Sequence, residues 1–131
     1  MQSIKKSTLV IILFTIALSF QACKKNDVGG KATIHAMIFH GTTPMVGTAT
    51  LYVKFNATSA PANPTTDYDL KLTGEPDDNH VHVEELRPGN YYLYAVAFDS
   101  TASVAVKGGV ATTIKWSERK EIKEVEVQTT N

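Results

Sequence analysis

The two histidines at positions 80 and 82 are the residues of this sequence best suited to chemistry. In a β-strand, side chains two residues apart point to the same face. His80 and His82 would therefore present their imidazoles about 6–7 Å apart along the strand. Imidazole nitrogens are common ligands of zinc and copper, and two of them can chelate one ion. The spacing therefore predicts a metal site at His80 and His82.

Further ligands could come from the same strand or from a neighbouring one. Glu84 extends the row, and His35 or His40 could join from another strand. Met37 shares a strand face with His35, and its thioether sulfur would suit copper. The alternative is that both histidines and Glu84 form only the solvated face of a strand whose intervening valines point into the core.

The single cysteine, Cys23, follows a leader with the three parts of a secretory signal. Lys5 and Lys6 supply positive charge, and residues 9–18 form an apolar run. That run is shorter than the roughly 20 residues a spanning helix needs. The leader resembles bacterial lipoprotein signal peptides, in which a small residue precedes the lipid-modified cysteine, as Ala22 does here.

The lipoprotein resemblance implies cleavage after residue 22, a diacylglycerol on the sulfur of Cys23 and an acylated new amino terminus. Several acyl chains would hold the protein permanently to a membrane. In Gram-negative lipoproteins, a residue other than Asp after the cysteine favours the outer membrane, and Lys24 stands there. We therefore expect a signal peptide over 1–22, a lipidated cysteine and flexible tether over 23–30, and a folded domain over 31–131.

The sequence offers no arrangement typical of an enzyme. Its serines lack the G-x-S-x-G setting of a hydrolase, and Asp77 and Asp78 lie in a predicted turn, where Asp is common. The chain carries 13 basic and 13 acidic residues, and removal of the leader would leave a net charge of −2. This balance argues against a nucleic-acid partner. We predict a non-enzymatic protein with no cofactor.

Aromatic residues are concentrated in residues 91–98, where Tyr92, Tyr94 and Phe98 would share one strand face. They could form a platform for a sugar or a peptide, with Trp116 as an exposed member. The alternative is that both faces of this strand pack in the core, with the phenol groups at its rim.

The elements that must position these residues are β-strands, because the apolar pattern beyond Lys31 has a period of two. Residues 56–67 contain two prolines and predict a loop, and residues 91–98 predict a central strand. The glycine pair at 108–109 predicts a bend between two short strands. Strands are expected at 32–39, 48–55, 68–72, 80–84, 91–98, 103–107, 110–114 and 120–128. Short strands with regular turns are typical of a β-sandwich.

The stretch Glu85–Asp99, ELRPGNYYLYAVAFD, resembles the L-x-P-G-x-Y segment of prealbumin-like domains, which include carboxypeptidase regulatory-like modules. The resemblance implies an all-β, prealbumin-like sandwich (transthyretin- or Ig-like) of about seven strands, and it brings no catalytic residues. We expect a lipid-anchored envelope module that binds a protein or glycan partner. The alternatives are a periplasmic metal-binding lipoprotein using His80 and His82, or a structural component of an envelope complex.

Overall fold

The computed structural model describes residues 28–131, which form two facing four-stranded sheets. The strands are β1 (Val28–His40), β2 (Thr43–Pro44), β3 (Ala49–Phe55), β4 (Leu70–Thr73), β5 (His80–Leu86), β6 (Gly89–Asp99), β7 (Val104–Ile114) and β8 (Ile122–Thr129). A single 3₁₀ turn, Trp116–Glu118, connects β7 to β8. The predicted all-β sandwich is confirmed, and the predicted loop at 56–67 is present.

The first sheet is built around β1, because this strand pairs along both of its edges. On one side β8 runs parallel to β1 in an uninterrupted register from Thr33↔Ile122 to His40↔Thr129. On the other side β5 runs antiparallel to it, and the two-residue β2 pairs with its last residues. Side chains on alternate positions of β1 therefore lie between those of β5 and β8 on the outer face.

The second sheet has the order β4-β3-β6-β7, with every pair antiparallel. β6 lies in its interior, as predicted for the most apolar segment. The ring of Tyr91 is fully buried, and its hydroxyl donates a 2.5 Å hydrogen bond to the carbonyl oxygen of Arg87. A tyrosine that bonds back to the chain just upstream is a recurrent feature of β-sandwiches, and here it fixes the entry into β6.

The core lies between the sheets and takes one face of every long strand. Its largest fully buried side chains are those of Tyr91, Ile34, Ile38, Met45, Leu51, Leu86, Leu93 and Ile114. Each such side chain contributes about 1.5–3 kcal/mol by leaving water, before the cost in chain entropy. The core-facing positions of β1 and β5 alternate with outward positions, and this alternation exposes the histidine row on the outer face.

The prediction of two short strands around Gly108 is wrong, since Val104–Ile114 is one continuous strand. A β-carbon on Gly108 would lie 2.0 Å from the carbonyl oxygen of Gln128. Next to it, Lys107 and Thr130 exchange two backbone hydrogen bonds of 2.9 and 3.0 Å. Gly108 therefore does not mark a bend. It allows β7 of the second sheet to lie close to residues 128–130, which follow or end β8 of the first sheet.

β1 includes residues 28–30, which the sequence analysis assigned to the tether. Val28 and Ala32 both lie opposite Leu86, so the register shifts between them, and Gly29 accommodates this with a φ of +102°. The predicted signal peptide, Cys23 and the first part of the tether lie outside the described residues. Within residues 28–131, no helix has the length and apolar character required to cross a bilayer.

Candidate metal centre

Three histidines meet on the outer face of the first sheet. His80 and His82 occupy outward positions of β5, and the valines between and after them are buried. His35 occupies the facing outward position of β1, directly opposite His82 in the register. The alternation of each strand and the pairing of the two strands therefore suffice to bring the three imidazoles together.

The three rings are in mutual contact. The centroid of the His35 ring lies 4.3 Å from that of His80 and 4.6 Å from that of His82, while the His80 and His82 centroids are 4.9 Å apart. One potential ligand nitrogen from each residue lies within 4.8 Å of those from the other two. A tetrahedral zinc ion with bonds of about 2.0–2.1 Å needs nitrogens roughly 3.3 Å apart. The His35 and His82 rings are stacked with an interplanar angle of 10°, so binding an ion requires these side chains to reorient until their nitrogens point to a common position.

His35 has the most constrained environment of the three. Its Nε2 atom is buried and has no hydrogen-bond partner among the described residues. A buried polar atom without a partner is costly, and such atoms often mark a ligand or ion position. Burial lowers the pKa of His35 below its ordinary value, and the neighbouring His80 and His82 lower it further. The lowered pKa favours the neutral form of the His35 imidazole, which is the form that binds a metal.

Two carboxylates support the cluster from its edges. Nδ1 of His80 contacts Oδ1 of Asp78, which lies in the turn just before β5. If Nδ1 donates to this carboxylate, Nε2 of His80 is free to bind a metal. A carboxylate behind a histidine ligand is common in metal sites and fixes the orientation of the ring. On the other side, Glu124 of β8 is the register partner of His35 and acts weakly to raise its pKa.

The remaining predicted ligands differ in position. Met37 is the register partner of His80 and lies on the same face as His35, so it borders the cluster. Glu84 is exposed and does not belong to the group of clustered ligand atoms within residues 28–131. His40 lies apart, because its even position in β1 turns it toward the other sheet. There its Nδ1 lies 2.7 Å from Oδ2 of Asp99 at the end of β6.

Sequence reasoning found His80 and His82 and left the third histidine open between His35 and His40. It treated Asp78 only as a turn residue and did not identify Glu124. An Asp two residues before a metal-binding histidine could have been recognised as a supporting group. Glu124 could not be recognised, because its approach depends on the parallel pairing of the first and last strands.

The aromatic residues on the outer face of the second sheet contact each other and a lysine. The rings of Tyr52 and Tyr68 meet edge to face at 5.0 Å, and the ammonium of Lys71 lies 5.6 Å from the Tyr52 ring. Tyr94 is the register partner of Tyr52. Trp116 lies away from this group, in the turn after β7. Because intramolecular partners occupy the face of Tyr52, these contacts do not add support for a glycan platform.

Comparisons with protein-family models, with curated proteins and with solved structures gave no match to this chain. The resemblance of residues 85–99 to prealbumin-like domains stays a prediction beyond the β-sandwich itself. Cys23 lies outside the described residues, so its lipidation also stays a prediction. The functional argument therefore depends on the geometry of His35, His80 and His82.

Proposed function

We propose that this protein is an envelope lipoprotein, anchored through Cys23 to the outer membrane, that binds one transition-metal ion through His35, His80 and His82. Its role is to hold the ion at the membrane surface, without catalysis. Zinc, copper and nickel are the candidates, since all three accept imidazole ligands. The fold assigned to this role is the prealbumin-like sandwich suggested by residues 85–99.

The observation that supports this proposal best is the convergence of three histidines from two strands on one partly buried point. A solvated row of side chains would account for His80 and His82 on β5. It would not account for the His35 ring, which contacts both other rings and whose buried Nε2 atom has no hydrogen-bond partner within residues 28–131. Three imidazole ligands also leave a fourth position open for water, a further side chain or an exchanging ligand.

The support for anchoring comes from the sequence alone. The leader ends at Ala22, directly before Cys23, and Lys24 stands where an Asp would favour the inner membrane. Mass spectrometry of the protein from a Gram-negative host should show a triacylated Cys23 at the amino terminus. An unmodified thiol with the leader still attached would contradict this part of the proposal.

Metal binding is tested by calorimetric titration of Zn²⁺, Cu²⁺ and Ni²⁺ into the full chain in detergent. We expect one equivalent to bind with a dissociation constant well below roughly 10 μM. His82→Ala should weaken binding by more than about 100-fold, since it removes a ligand, and Asp78→Asn by about 10–100-fold, as for other supporting groups. His82 is exposed, so its replacement should leave the fold intact.

The matched control is His40→Gln. His40 is the only histidine of the chain outside the cluster, and Gln can still donate a hydrogen bond to Asp99. Unchanged affinity in this variant would assign binding to the three clustered residues. Binding weaker than roughly 10 μM for every metal would remove the metal function. The hypothesis of a protein- or glycan-binding module would then remain.

A further inference from the structure

One end of the sandwich is the end at which the described chain begins. β1 starts there at Val28, opposite Leu86, and β7 finishes there, with Ile114 paired to Gly89. The 3₁₀ turn follows, and the backbone amide of Thr33 in β1 donates a 3.0 Å hydrogen bond to the carbonyl oxygen of Glu121. We call this region the tether end, and define it as residues 28–31, 87–90 and 115–123.

The tether end carries exposed apolar side chains next to a cation. Trp116 is 71% exposed and Ile122 is 70% exposed, while Val28 is 43% exposed. The guanidinium of Arg119 lies 4.9 Å from the Trp116 ring and donates a 3.0 Å hydrogen bond to the Trp116 carbonyl. Tryptophan and arginine side chains of this kind favour the interfacial layer of a bilayer, where an apolar ring and a charged group are both stabilised.

The charge of this end is opposite in sign to that of the mature chain. Residues 115–123 contain four basic and two acidic residues, whereas the chain without its leader has a net charge of −2. A cavity of about 360 Å³ opens beside the turn, with Lys115 and Lys123 in its lining. Threonines 58, 112 and 113 also line it. The Lys123 ammonium is paired with the Glu118 carboxylate at 3.1 Å, so Lys115 supplies the remaining positive charge that the cavity offers, beside hydroxyl groups, to an anionic group.

The short tether between Cys23 and β1 determines which end of the sandwich lies near the membrane. Four residues lie between Cys23 and Val28, so the two are five residue steps apart, and a fully extended chain covers at most about 3.5 Å per step. The start of β1 therefore lies within roughly 17 Å of a lipidated Cys23. A domain held this closely brings the tether end, rather than the opposite end, to the bilayer.

We propose that the tether end rests on an anionic phospholipid bilayer, with the Trp116 ring in the interface and the basic residues 115–123 against the lipid phosphates. This inference rests on the lipid anchor of the proposed function. It adds a defined orientation of the domain, in which β1 rises from the membrane and the histidine cluster faces sideways into the surrounding fluid.

Trp116 is the only tryptophan of the chain, so its fluorescence reports on this end alone. The lipidated full chain is reconstituted into vesicles of phosphatidylethanolamine and phosphatidylglycerol, some containing brominated lipid. We expect a shift of the emission to shorter wavelength, strong quenching by brominated lipid and weak quenching by aqueous iodide. Vesicles of phosphatidylcholine alone should give weaker quenching by brominated lipid, and equal quenching would refute the role of the basic residues.

The matched control moves the probe to the opposite end. Phe98 lies near the far end of β6 and is 53% exposed, so a Trp116→Phe, Phe98→Trp double variant carries one exposed tryptophan away from the tether. Its emission should be quenched by iodide and not by brominated lipid. Flotation with the vesicles separates the two proposals. A chain that fails to float overturns both, whereas a floating chain with equal quenching at both probe positions overturns this inference alone.

Discussion

Binding of a metal should raise the melting temperature of this protein by an amount that the structure allows us to estimate. The ligands come from β1 and β5, so unfolding separates His35 from the His80–His82 pair and weakens binding. A ligand at 100 times its dissociation constant stabilises the folded state by about 2.7 kcal/mol. About 100 ordered residues give an unfolding entropy of about 0.2 kcal/mol/K. The expected rise in the melting temperature is therefore about 13 °C.

The assay is thermal unfolding followed by circular dichroism, with the full chain in detergent and with or without Zn²⁺ at 100 times the measured dissociation constant. At the same metal concentration, His82→Ala should lose most of the shift, because the remaining two ligands bind much more weakly. His40→Gln should keep the shift in full. A shift of equal size in His82→Ala would refute the reasoning, since the ion would then be bound elsewhere.

Three further predictions concern stability. Gly108→Ala should destabilise the fold by about 3 kcal/mol in denaturant unfolding, because its β-carbon would overlap the backbone oxygen of Gln128; a change below about 1 kcal/mol would contradict this. The hydrogen bond from His40 lowers the pKa of Asp99, so the ionised carboxylate stabilises the fold above its ordinary pKa and this stabilisation is lost on acidification. In Asp99→Asn, the free energy of unfolding should therefore fall less steeply below about pH 4. His35 has a lowered pKa, so the metal-free protein should lose stability as the pH falls below about 6.5, less steeply in His35→Ala.

Strand positions could be predicted from the sequence because burial on one face imposes a period of two. The segment 49–55 alternates without exception, and its strand was predicted to within one residue. Gly108 shows the limit of such reasoning. A glycine inside an apolar pattern signals either a bend or a close approach of another backbone, and only the position of Gln128 distinguishes the two.

The candidate site likewise has one part that follows from the local sequence pattern and one part that depends on how the strands pair. That His80 and His82 share a face follows from their spacing within one strand, so it could be predicted without knowing which strand pairs with which. The choice of His35 over His40 as the third member could have been favoured by parity, because His35 alternates with the apolar positions of β1 and His40 coincides with them. The pairing of β1 with β5 rather than with another strand has no local signal, so the contact itself needed the structure.

The parallel pairing of β1 with β8 has a consequence for how this protein is made. The Thr129 hydroxyl donates a hydrogen bond to the carbonyl oxygen of Phe39 across 90 residues of sequence, and the strand bearing His35 gains its second long neighbour only once β8 has been synthesised. Until then one edge of β1 has open hydrogen-bonding groups, which invite pairing with other chains. A variant that lacks β8 (Ile122–Thr129) would keep this edge of β1 open, and we expect it to aggregate.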